Sequence, residues 1–428
     1  MIPNSDMNNS LLDFIKYTPT AFHAVENAAK KLEDLGFVRL KEEDEWSLSA
    51  GNGYFVTRNC SSLIAFRIPE GDWNGFMMAA SHGDSPCFKI KENPEIKGEF
   101  SVRLTTEKYG GMLMNPWMDR PLSIAGRVVL KTGDSIEIKT VDSRVPCAII
   151  PNVPIHMNRK ANEGMALNAA IDMLPLFSDG STDFGEYIAA LAGADGDSII
   201  SSDLYLYTAE EGYLWNGFVS APRLDDLQCV FASLSAFADT KQQNSASVFC
   251  LFDNEEVGSG TKQGAESTFL HDTLSRVCTS FGRDLKRVLP LSFMASCDNA
   301  HAVHPNHPEL YDKNNSVYMN GGVVIKHNAG GKYTTDAVSA GIFRMICKKA
   351  GVPTQDYFNR ADIPGGSTLG NISDTKVSIN TVDIGAAQLA MHSAFETAGE
   401  KDTEYLYRSL CELYRSAVET SDNGYVIK

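Results

Sequence analysis

Two adjacent carboxylates, Glu255 and Glu256, are the residues whose types and position most directly suggest chemistry. They follow the run 246–252, which is short, apolar and rich in β-branched and aromatic residues, and which therefore predicts a buried strand. In open α/β sheets, ligands bind at the carboxyl ends of the strands. One carboxylate at such a position can bind a metal while its neighbour transfers a proton. Taken alone, the segment is more typical of a solvated acidic turn.

Other candidate ligands follow other predicted strands. His82 comes after the run 75–80, and Asp84 completes a His-x-Asp motif in which the aspartate can accept from the second imidazole nitrogen of a zinc ligand. Asp298 follows the run 291–297, and His392 comes after a strand predicted near 377–380. Asp225 opens a predicted helix. Each has a plainer explanation, either a structural histidine or an aspartate at a helix start.

The carboxyl ends of parallel strands share one rim of a sheet, so residues far apart in sequence can converge there. Nitrogen and oxygen ligands suit zinc, with manganese or cobalt as alternatives. Two histidines and three carboxylates are enough for a pair of zinc ions if one carboxylate bridges them. One further carboxylate then remains to act as a general base. The expected set is His82, Asp225, Glu255, Glu256, Asp298 and His392.

Size and charge narrow the class of protein. A chain of 428 residues suggests two domains. Its net charge of −16 argues against binding to nucleic acid or to an anionic membrane surface, and no apolar run reaches transmembrane length. The nine cysteines never occur as Cys-x-x-Cys, which indicates reduced core residues. Because residues 1–6 also lack the basic and apolar regions of a signal peptide, we expect a cytoplasmic protein.

Between about residues 91 and 219 the hydrophobic pattern of the sequence changes. Alternating runs such as 127–130 and 135–139 are separated by turn signals, which is typical of a mainly β domain. We therefore predict an α/β domain formed by residues 1–90 and 220–428, with a β-rich domain of residues 91–219 inserted into it. A C-terminal helix is predicted over 402–418.

A series of short segments, in order along almost the whole chain, carries a specific resemblance. The segments are 82–87 (HGDSPC), 109–111 (YGG), 119–120 (DR), 150–152 (IPN) with 155–156 (IH), 222–225 (PRLD), 253–259 (DNEEVGS), Asp298 with 300–306 (AHAVHPN), Lys326, Tyr333 and 391–393 (MHS). In these segments the chain resembles the aspartyl aminopeptidase and vacuolar aminopeptidase I family of zinc exopeptidases.

The resemblance implies a metal site with two zinc ions per subunit. His82, Asp225 and Asp298 would hold one ion. Glu256, His392 and the shared Asp225 would hold the other.

The resemblance also implies the remaining roles in the site. Glu255 would be the general base, and Asp84 would orient or polarise His82. His156 matches a position that reaches into the active site of a neighbouring subunit. Three further residues match positions that contact substrate, namely His301, Lys326 and Tyr333.

The implied fold is an α/β zinc-exopeptidase domain, with a mixed sheet flanked by helices, plus an inserted β-rich dimerisation domain. The implied assembly is a tetrahedral dodecamer. The chain departs from the family pattern at Gly83, where threonine is usual, in the loop 112–118, and at 364–367, which replaces a Cys-Gly-Ser form. These departures remove no expected metal ligand, but the loop changes bear on side-chain specificity.

We therefore expect an aminopeptidase that removes an N-terminal residue, Asp or Glu, from peptides. One alternative is an enzyme of the same family that prefers neutral residues. A second is a carboxypeptidase or amide deacylase with the same two-zinc core, in which Lys326 would bind the carboxylate of the substrate. A third is a non-catalytic shell or binding protein. The third is disfavoured because Glu255 and all five expected ligands are present.

Overall fold

The computed structural model describes residues 4–241 and 244–428. Residues 1–3, which belong to the segment 1–6 considered above, lie outside the described residues. The first part of the chain forms two helices and four strands: α1 (Asn4–Lys16), α2 (Ala21–Asp34), β1 (Val38–Leu40), β2 (Gly53–Arg58), β3 (Ser62–Arg67) and β4 (Phe76–His82).

The next part of the chain is dominated by strands, as the alternating sequence pattern predicts. Its elements are β5 (Cys87–Lys97), β6 (Val102–Tyr109), β7 (Leu122–Thr132), β8 (Ser135–Asp142), β9 (Leu176–Ser178), α3 (Phe184–Ala192) and β10 (Ile199–Thr208). The six strands form one antiparallel sheet in the order β8-β7-β10-β5-β6-β9. The division of the chain into domains at residues 90 and 220 stays a prediction.

The last part of the chain alternates between helices and strands. Its first elements are β11 (Tyr213–Trp215), β12 (Phe218–Ala221), α4 (Leu224–Asp239), β13 (Ala246–Phe252), α5 (Phe269–Ser280), α6 (Leu285–Val288), β14 (Phe293–Cys297) and β15 (Ala300–His301). The remainder are β16 (Val323–His327), α7 (Ala337–Ala350), β17 (Thr354–Phe358), α8 (Leu369–Ser373), β18 (Asn380–Gly385), β19 (Ala387–Leu389), β20 (Glu396–Gly399), α9 (Asp402–Arg415), β21 (Val418–Ser421) and β22 (Gly424–Ile427).

The main sheet has nine strands, in the order β1-β2-β3-β13-β4-β14-β18-β16-β17. Its central strands β13, β4, β14 and β18 are mutually parallel, whereas β3 and β16 run antiparallel to their neighbours β13 and β18, so the sheet is mixed as predicted. Because successive side chains of a strand point to opposite faces, β13 contributes to two cores. Phe249 and Leu251 pack with α2, α4, α7 and α9, whereas Val248 and Cys250 pack on the α5 side. Helices on both faces explain why this strand is an uninterrupted apolar run.

A smaller sheet of five strands, in the order β11-β12-β20-β19-β15, completes the part of the molecule that carries the main sheet. Strand β12 ends immediately before α4, and β15 follows β14, so this sheet is joined to the main sheet at both points. Among the described helices, none is both long enough and apolar enough to cross a membrane.

Two predicted elements are wrong in their bounds. The strand predicted near 377–380 is β18, which begins only at Asn380, because Val377 is a buried residue in a turn whose N–H donates to Ser373 O at 3.0 Å. The C-terminal helix ends at Arg415 instead of 418, since Val418 begins the hairpin formed by β21 and β22.

Candidate active site

Three of the predicted site segments lie side by side at the carboxyl ends of the central strands. Strand β4 ends at His82 and lies between β13 and β14 in the sheet. The acidic turn with Glu255 and Glu256 follows β13, and Asp298 follows β14 directly. Since these three strands are parallel, their carboxyl ends meet at one rim, as expected from the sequence.

Asp225 reaches this rim from the start of α4. Its φ and ψ of −83° and 109° are not helical, so the chain turns sharply here before the regular helix begins. Its N–H donates to Glu396 Oε2 at 3.0 Å, which fixes the backbone at this point. Both Asp225 and the next residue, Asp226, are buried. Both aspartates do lie at the start of α4, as the plainer explanation has it, but their burial sets them apart from solvated residues of a helix start.

His392 reaches the site by a different route from the one predicted. It lies in the turn between β19 and β20 of the five-stranded sheet, and not at the end of a strand of the main sheet. Its φ is +101°, a conformation that L-residues rarely adopt, and its N–H donates to Glu396 Oε1 at 2.8 Å. Four strand ends on one rim were predicted, and three are found.

The six predicted residues come together into overlapping groups whose ligand atoms lie within 4.8 Å of one another. His82 Nε2 lies 3.6 Å from Asp225 Oδ1. On the other side of Asp225, His392 Nε2 lies 3.4 Å from Asp225 Oδ2 and 3.6 Å from Glu256 Oε1. The carboxylate of Asp225 therefore lies between the two histidines. The groups are His82 with Asp225, Asp226 and Asp298; Asp225 with Glu256 and His392; and His82 with Glu255 and Glu256.

The donor set fits a zinc site. Three buried carboxylate oxygens, Asp225 Oδ1, Asp226 Oδ1 and Glu256 Oε1, have no hydrogen-bond partner within residues 4–241 and 244–428. A buried acceptor without a partner carries its full desolvation cost, so such atoms are rare unless an ion or water satisfies them. Imidazole nitrogens and carboxylate oxygens are ligands that zinc accepts.

The electrostatics of the site also favour a cation. Burial raises the pKa of Glu255 to about 8 although His82 lowers it, and burial raises the pKa of Glu256 well above its usual range. Burial also opposes the charge of Asp225, but the imidazoles of His392 and His82, which face its two oxygens, bring its pKa below its usual range. Burial alone would lower the pKa of His392. The opposite effect of Asp225 and Glu256 is larger, and the pKa of His392 is raised to about 10. The buried acids outnumber the imidazoles, so positive charge is needed to ionise them all.

Asp84 contacts His82 and the backbone of the acidic turn. Its Oδ1 lies 3.3 Å from His82 Nδ1 and accepts from the backbone N–H of Glu255 at 3.2 Å. Its Oδ2 accepts from the N–H of Glu256 at 3.1 Å. Asp84 thus contacts both the histidine and the acidic turn, and this geometry fits the orienting role that the resemblance implies.

The relationships of the chain to known proteins agree with this geometry. The family model described as aminopeptidase I zinc metalloprotease (M18) matches residues 14–414. The chain belongs to the M18 family. A probable M18 family aminopeptidase 2 of Clostridium acetobutylicum is 44% identical over 421 residues, covering 94% of this chain and 97% of that protein. The protein is therefore a zinc metallo-aminopeptidase, a hydrolase, and the recognition of its family from the sequence is confirmed.

Solved structures confirm the fold class. The structure of the Ape4 and Nbr1 complex matches with a TM-score of 0.92 and 33% identity, covering 96% of this chain and 86% of that chain. The S. cerevisiae mApe1 dodecamer matches with a TM-score of 0.84 and 28% identity, covering 96% of each chain.

The predicted substrate-binding residues of this M18 protein lie in two places. Lys326 is buried, and its Nζ lies 3.2 Å from Asp298 Oδ2 and 5.2 Å from the centre of the Tyr333 ring. Burial and the charge of Lys326 lower the pKa of His301 to about 4, so this imidazole is neutral near pH 7. His156 lies on an exposed loop and makes no hydrogen bond to the metal-site residues in the described part of the chain. The assigned roles stay predictions.

Two residues of the site were missed in the sequence. Asp226 lies in the His82 group, and its Oδ2 accepts from the N–H of His82 at 3.3 Å. Glu396 is buried and binds the backbone N–H groups of both Asp225 and His392. The only signal for Asp226 was its place beside Asp225, and for Glu396 its place four residues after His392.

Removal of zinc with a chelator should abolish peptide hydrolysis and lower the Tm, because the buried carboxylates lose their countercharge and a ligand of the folded state is lost. Adding zinc back should restore both properties. Hydrolysis assays and differential scanning fluorimetry on the same samples measure the two effects, with manganese and cobalt tested in parallel. Full activity in a preparation verified to be metal-free would contradict the assignment.

Proposed function

We propose that this protein is a di-zinc aminopeptidase that hydrolyses the N-terminal residue, preferably Asp or Glu, from peptides. The observation that carries the proposal is the position of Asp225 between His82 and His392, with one carboxylate oxygen facing each imidazole. A carboxylate in this position can bridge two ions, and Glu255 lies beside it in the group around His82. The nine free cysteines accord with the further proposal that it acts in the cytoplasm.

In this proposal His82, Asp225 and Asp298 would hold one zinc ion, and Asp225, Glu256 and His392 would hold the other. When bound, the pair of ions would polarise the scissile carbonyl and make an attacking water more acidic. Asp226 is assigned a supporting role, since its Oδ2 already accepts from the N–H of His82.

Glu255 is proposed as the general base. Its carboxylate would accept a proton from the attacking water as the new C–O bond forms, and would then deliver it to the amine nitrogen as the C–N bond breaks. One contact supports this role: the backbone N–H of Glu255 donates to Asp84 Oδ1 at 3.2 Å, which holds Glu255 in the group around His82.

An aminopeptidase is favoured over a carboxypeptidase or amide deacylase by the charge of the site. A substrate with a free N-terminus brings an ammonium group, which the excess of buried carboxylates attracts, whereas a C-terminal carboxylate would be repelled unless a cation faced it.

The proposed preference for acidic residues depends on Lys326. An ammonium has three N–H donors, and two of those of Lys326 are used by Asp298 Oδ2 and Asn299 O, each at 3.2 Å. The third donor is proposed to bind the side-chain carboxylate of the substrate. If it does not, the alternative preference for neutral residues applies.

The proposed assembly is a tetrahedral dodecamer in which dimers form across the inserted sheet. One structural relative, S. cerevisiae mApe1, is a dodecamer. Around His156 the loop exposes apolar side chains, with Val153 52%, Ile155 47% and Met157 82% accessible to solvent, which is typical of a surface that contacts another chain. His156 is itself exposed, so it is not a buried structural histidine. We propose that His156 donates a hydrogen bond to the oxyanion in the site of the neighbouring subunit.

Glu255→Gln should retain zinc but lose roughly 100-fold or more in kcat, the usual size of a general acid-base contribution. Glu256→Gln is the matched control, since it makes the same change one residue away and should lose zinc instead. Metal content by elemental analysis and kcat at saturating substrate separate the two effects. If Glu255→Gln emptied the site while Glu256→Gln kept both ions, the two roles would be reversed.

Peptides with N-terminal Asp or Glu should be cleaved faster than the uncharged isosteres with Asn or Gln. A charge-assisted hydrogen bond contributes about 1.5 to 3 kcal/mol, or roughly 10- to 100-fold in kcat/KM. The measurement is kcat/KM over a panel that also contains Leu peptides. Amino-blocked and carboxyl-blocked peptides in the same panel test the enzyme class. Faster cleavage of Leu peptides would establish the neutral preference, and cleavage of amino-blocked peptides alone would exclude an aminopeptidase.

His156→Ala and Glu255→Gln should each be inactive alone and should complement each other in mixed dimers. Reversible dissociation and mixing puts an intact His156 and an intact Glu255 at one shared site, so part of the activity should return. The readout is hydrolysis by mixed dimers verified with two affinity tags, compared with each variant put through the same treatment. A fully active monomer, or no recovery in verified mixed dimers, would remove His156 from the neighbouring site.

A further inference from the structure

A tripeptide of the inserted sheet contacts the metal-site residues at several points. It consists of Tyr109, at the end of β6, and the two glycines that follow, and is called here the Tyr109–Gly111 segment. Its position follows from strand register. Strands β5 and β6 are antiparallel with Cys87 opposite Tyr109, and Cys87 is only three residues after Asp84. The pairing therefore brings Tyr109 beside the residue that supports the site.

The hydroxyl of Tyr109 completes the set of donors around Asp84. It donates to Asp84 Oδ2 at 2.6 Å and accepts from Asn254 Nδ2 at 2.9 Å. Asn254 directly precedes the acidic turn, and its Oδ1 accepts from Thr261 and Gln263, each at 2.8 Å. The orientation of the Tyr109 hydroxyl is thus fixed, because Asn254 supplies the donor and Asp84 is left as the acceptor.

The two glycines contact the other half of the site. The carbonyl of Gly111 is hydrogen-bonded to His392 Nδ1, which therefore carries the proton and leaves Nε2 free to face Asp225 and Glu256. A side chain at Gly110 would lie 3.1 Å from Glu256 Cβ, and its φ of +75° also favours glycine. The segment therefore packs closely against one expected ligand and orients another.

We propose that Tyr109 is a positioning residue for the hydrolytic reaction, and that it acts through Asp84. The hydroxyl fixes the carboxylate of Asp84, which in turn holds the ring of His82 and the backbone of Glu255. Through this contact the inserted sheet sets the geometry of the metal site in its own subunit. The proposal rests on the proposed roles of His82 and Glu255.

The size of the effect can be stated. Loss of a partner that supports a metal ligand typically costs 10- to 100-fold in metal affinity or activity. Tyr109→Phe keeps the ring, which packs edge-on against Tyr205 with centroids 5.7 Å apart, and removes only the hydroxyl. Tyr205→Phe is the matched control, since the Tyr205 hydroxyl has no hydrogen bond within the described residues.

The experiment measures zinc affinity by competition with a chelator, together with kcat and KM at saturating zinc. Tyr109→Phe should weaken zinc binding or lower kcat by roughly 10- to 100-fold with KM changed less than about twofold, because it displaces a ligand and the base and not the substrate pocket. Tyr205→Phe should change each quantity by less than about twofold. Zinc affinity and kcat of Tyr109→Phe both within twofold of the parent protein would overturn the proposal.

A double-mutant cycle tests whether Tyr109 acts through Asp84. Asp84→Asn alone should weaken zinc binding or lower kcat, and adding Tyr109→Phe should reduce neither by more than a further twofold, since the path is already broken. Multiplied losses would mean that Tyr109 acts by another route and would overturn the proposal. If Tyr109→Phe lowers the Tm by more than the control does, Asn254→Asp provides the second test. It keeps the acceptor for Thr261 and Gln263 but competes for the Tyr109 proton, and zinc affinity and kcat unchanged within twofold would again overturn the proposal.

The outcome is separable from that of the proposed function. Zinc affinity is read in the absence of substrate, so it reports on Tyr109 even if Glu255 proves not to be the base. Conversely, Glu255→Gln tests the base with Tyr109 intact. Loss of zinc affinity in Tyr109→Phe together with full activity of Glu255→Gln would reject the assigned base and retain the positioning role.

Discussion

The structure depends on one electrostatic constraint, the burial of several carboxylates at a single point on the rim of the main sheet. Asp225, Asp226 and Asp298 are each less than a tenth exposed, and their ligand atoms lie within 4.8 Å of one another and of His82. Charged groups taken out of water are strongly unfavourable unless they are paired. Burial accordingly raises the pKa of Asp226 and Asp298. The family to which the chain belongs is one of zinc metalloproteases, and a bound zinc ion would supply the positive charge that these buried carboxylates need.

The same constraint explains why the ligands are held so firmly by backbone donors and by other carboxylates. Glu396 binds the N–H groups of Asp225 and His392, and Asp84 binds those of Glu255 and Glu256. A ligand that repels its neighbours in the absence of metal would otherwise move apart from them. Each of these two supporting acids therefore ties together residues from two different segments of the chain and keeps the site assembled.

A residue of the site could be predicted from the sequence when it follows a strand of the main sheet. His82, Glu255 and Asp298 follow buried apolar runs, and the rule that parallel strands share a rim predicted their convergence correctly. His392 obeys no such rule, since it lies in a turn of a separate sheet. It was placed in the expected set because it follows a strand predicted near 377–380, and that strand does not carry it to the site. Glu396 and Asp226 act through hydrogen bonds to backbone N–H groups, which leave no periodic signal in the sequence. The register that places Tyr109 opposite Cys87 could not be predicted from the sequence either, because register depends on pairing across the sheet.

The six-stranded sheet and the loops that connect its strands contact the site at one point and carry the His156 loop at another. At one end, Tyr109 and Gly111 bind Asp84 and His392 of the same subunit. At the other end, the loop that carries His156 is fastened by Asp119, whose N–H donates to Ile150 O at 2.8 Å and whose carboxylate accepts from Asn152 N at 2.9 Å. Only a few residues separate the Tyr109–Gly111 segment from Asp119 along the chain. If His156 enters a neighbouring site as proposed, a shift of this connection would alter the support of one site and the oxyanion donor of the next. Assembly and catalysis would then be coupled through a short piece of covalent chain, and no long-range change of fold would be needed.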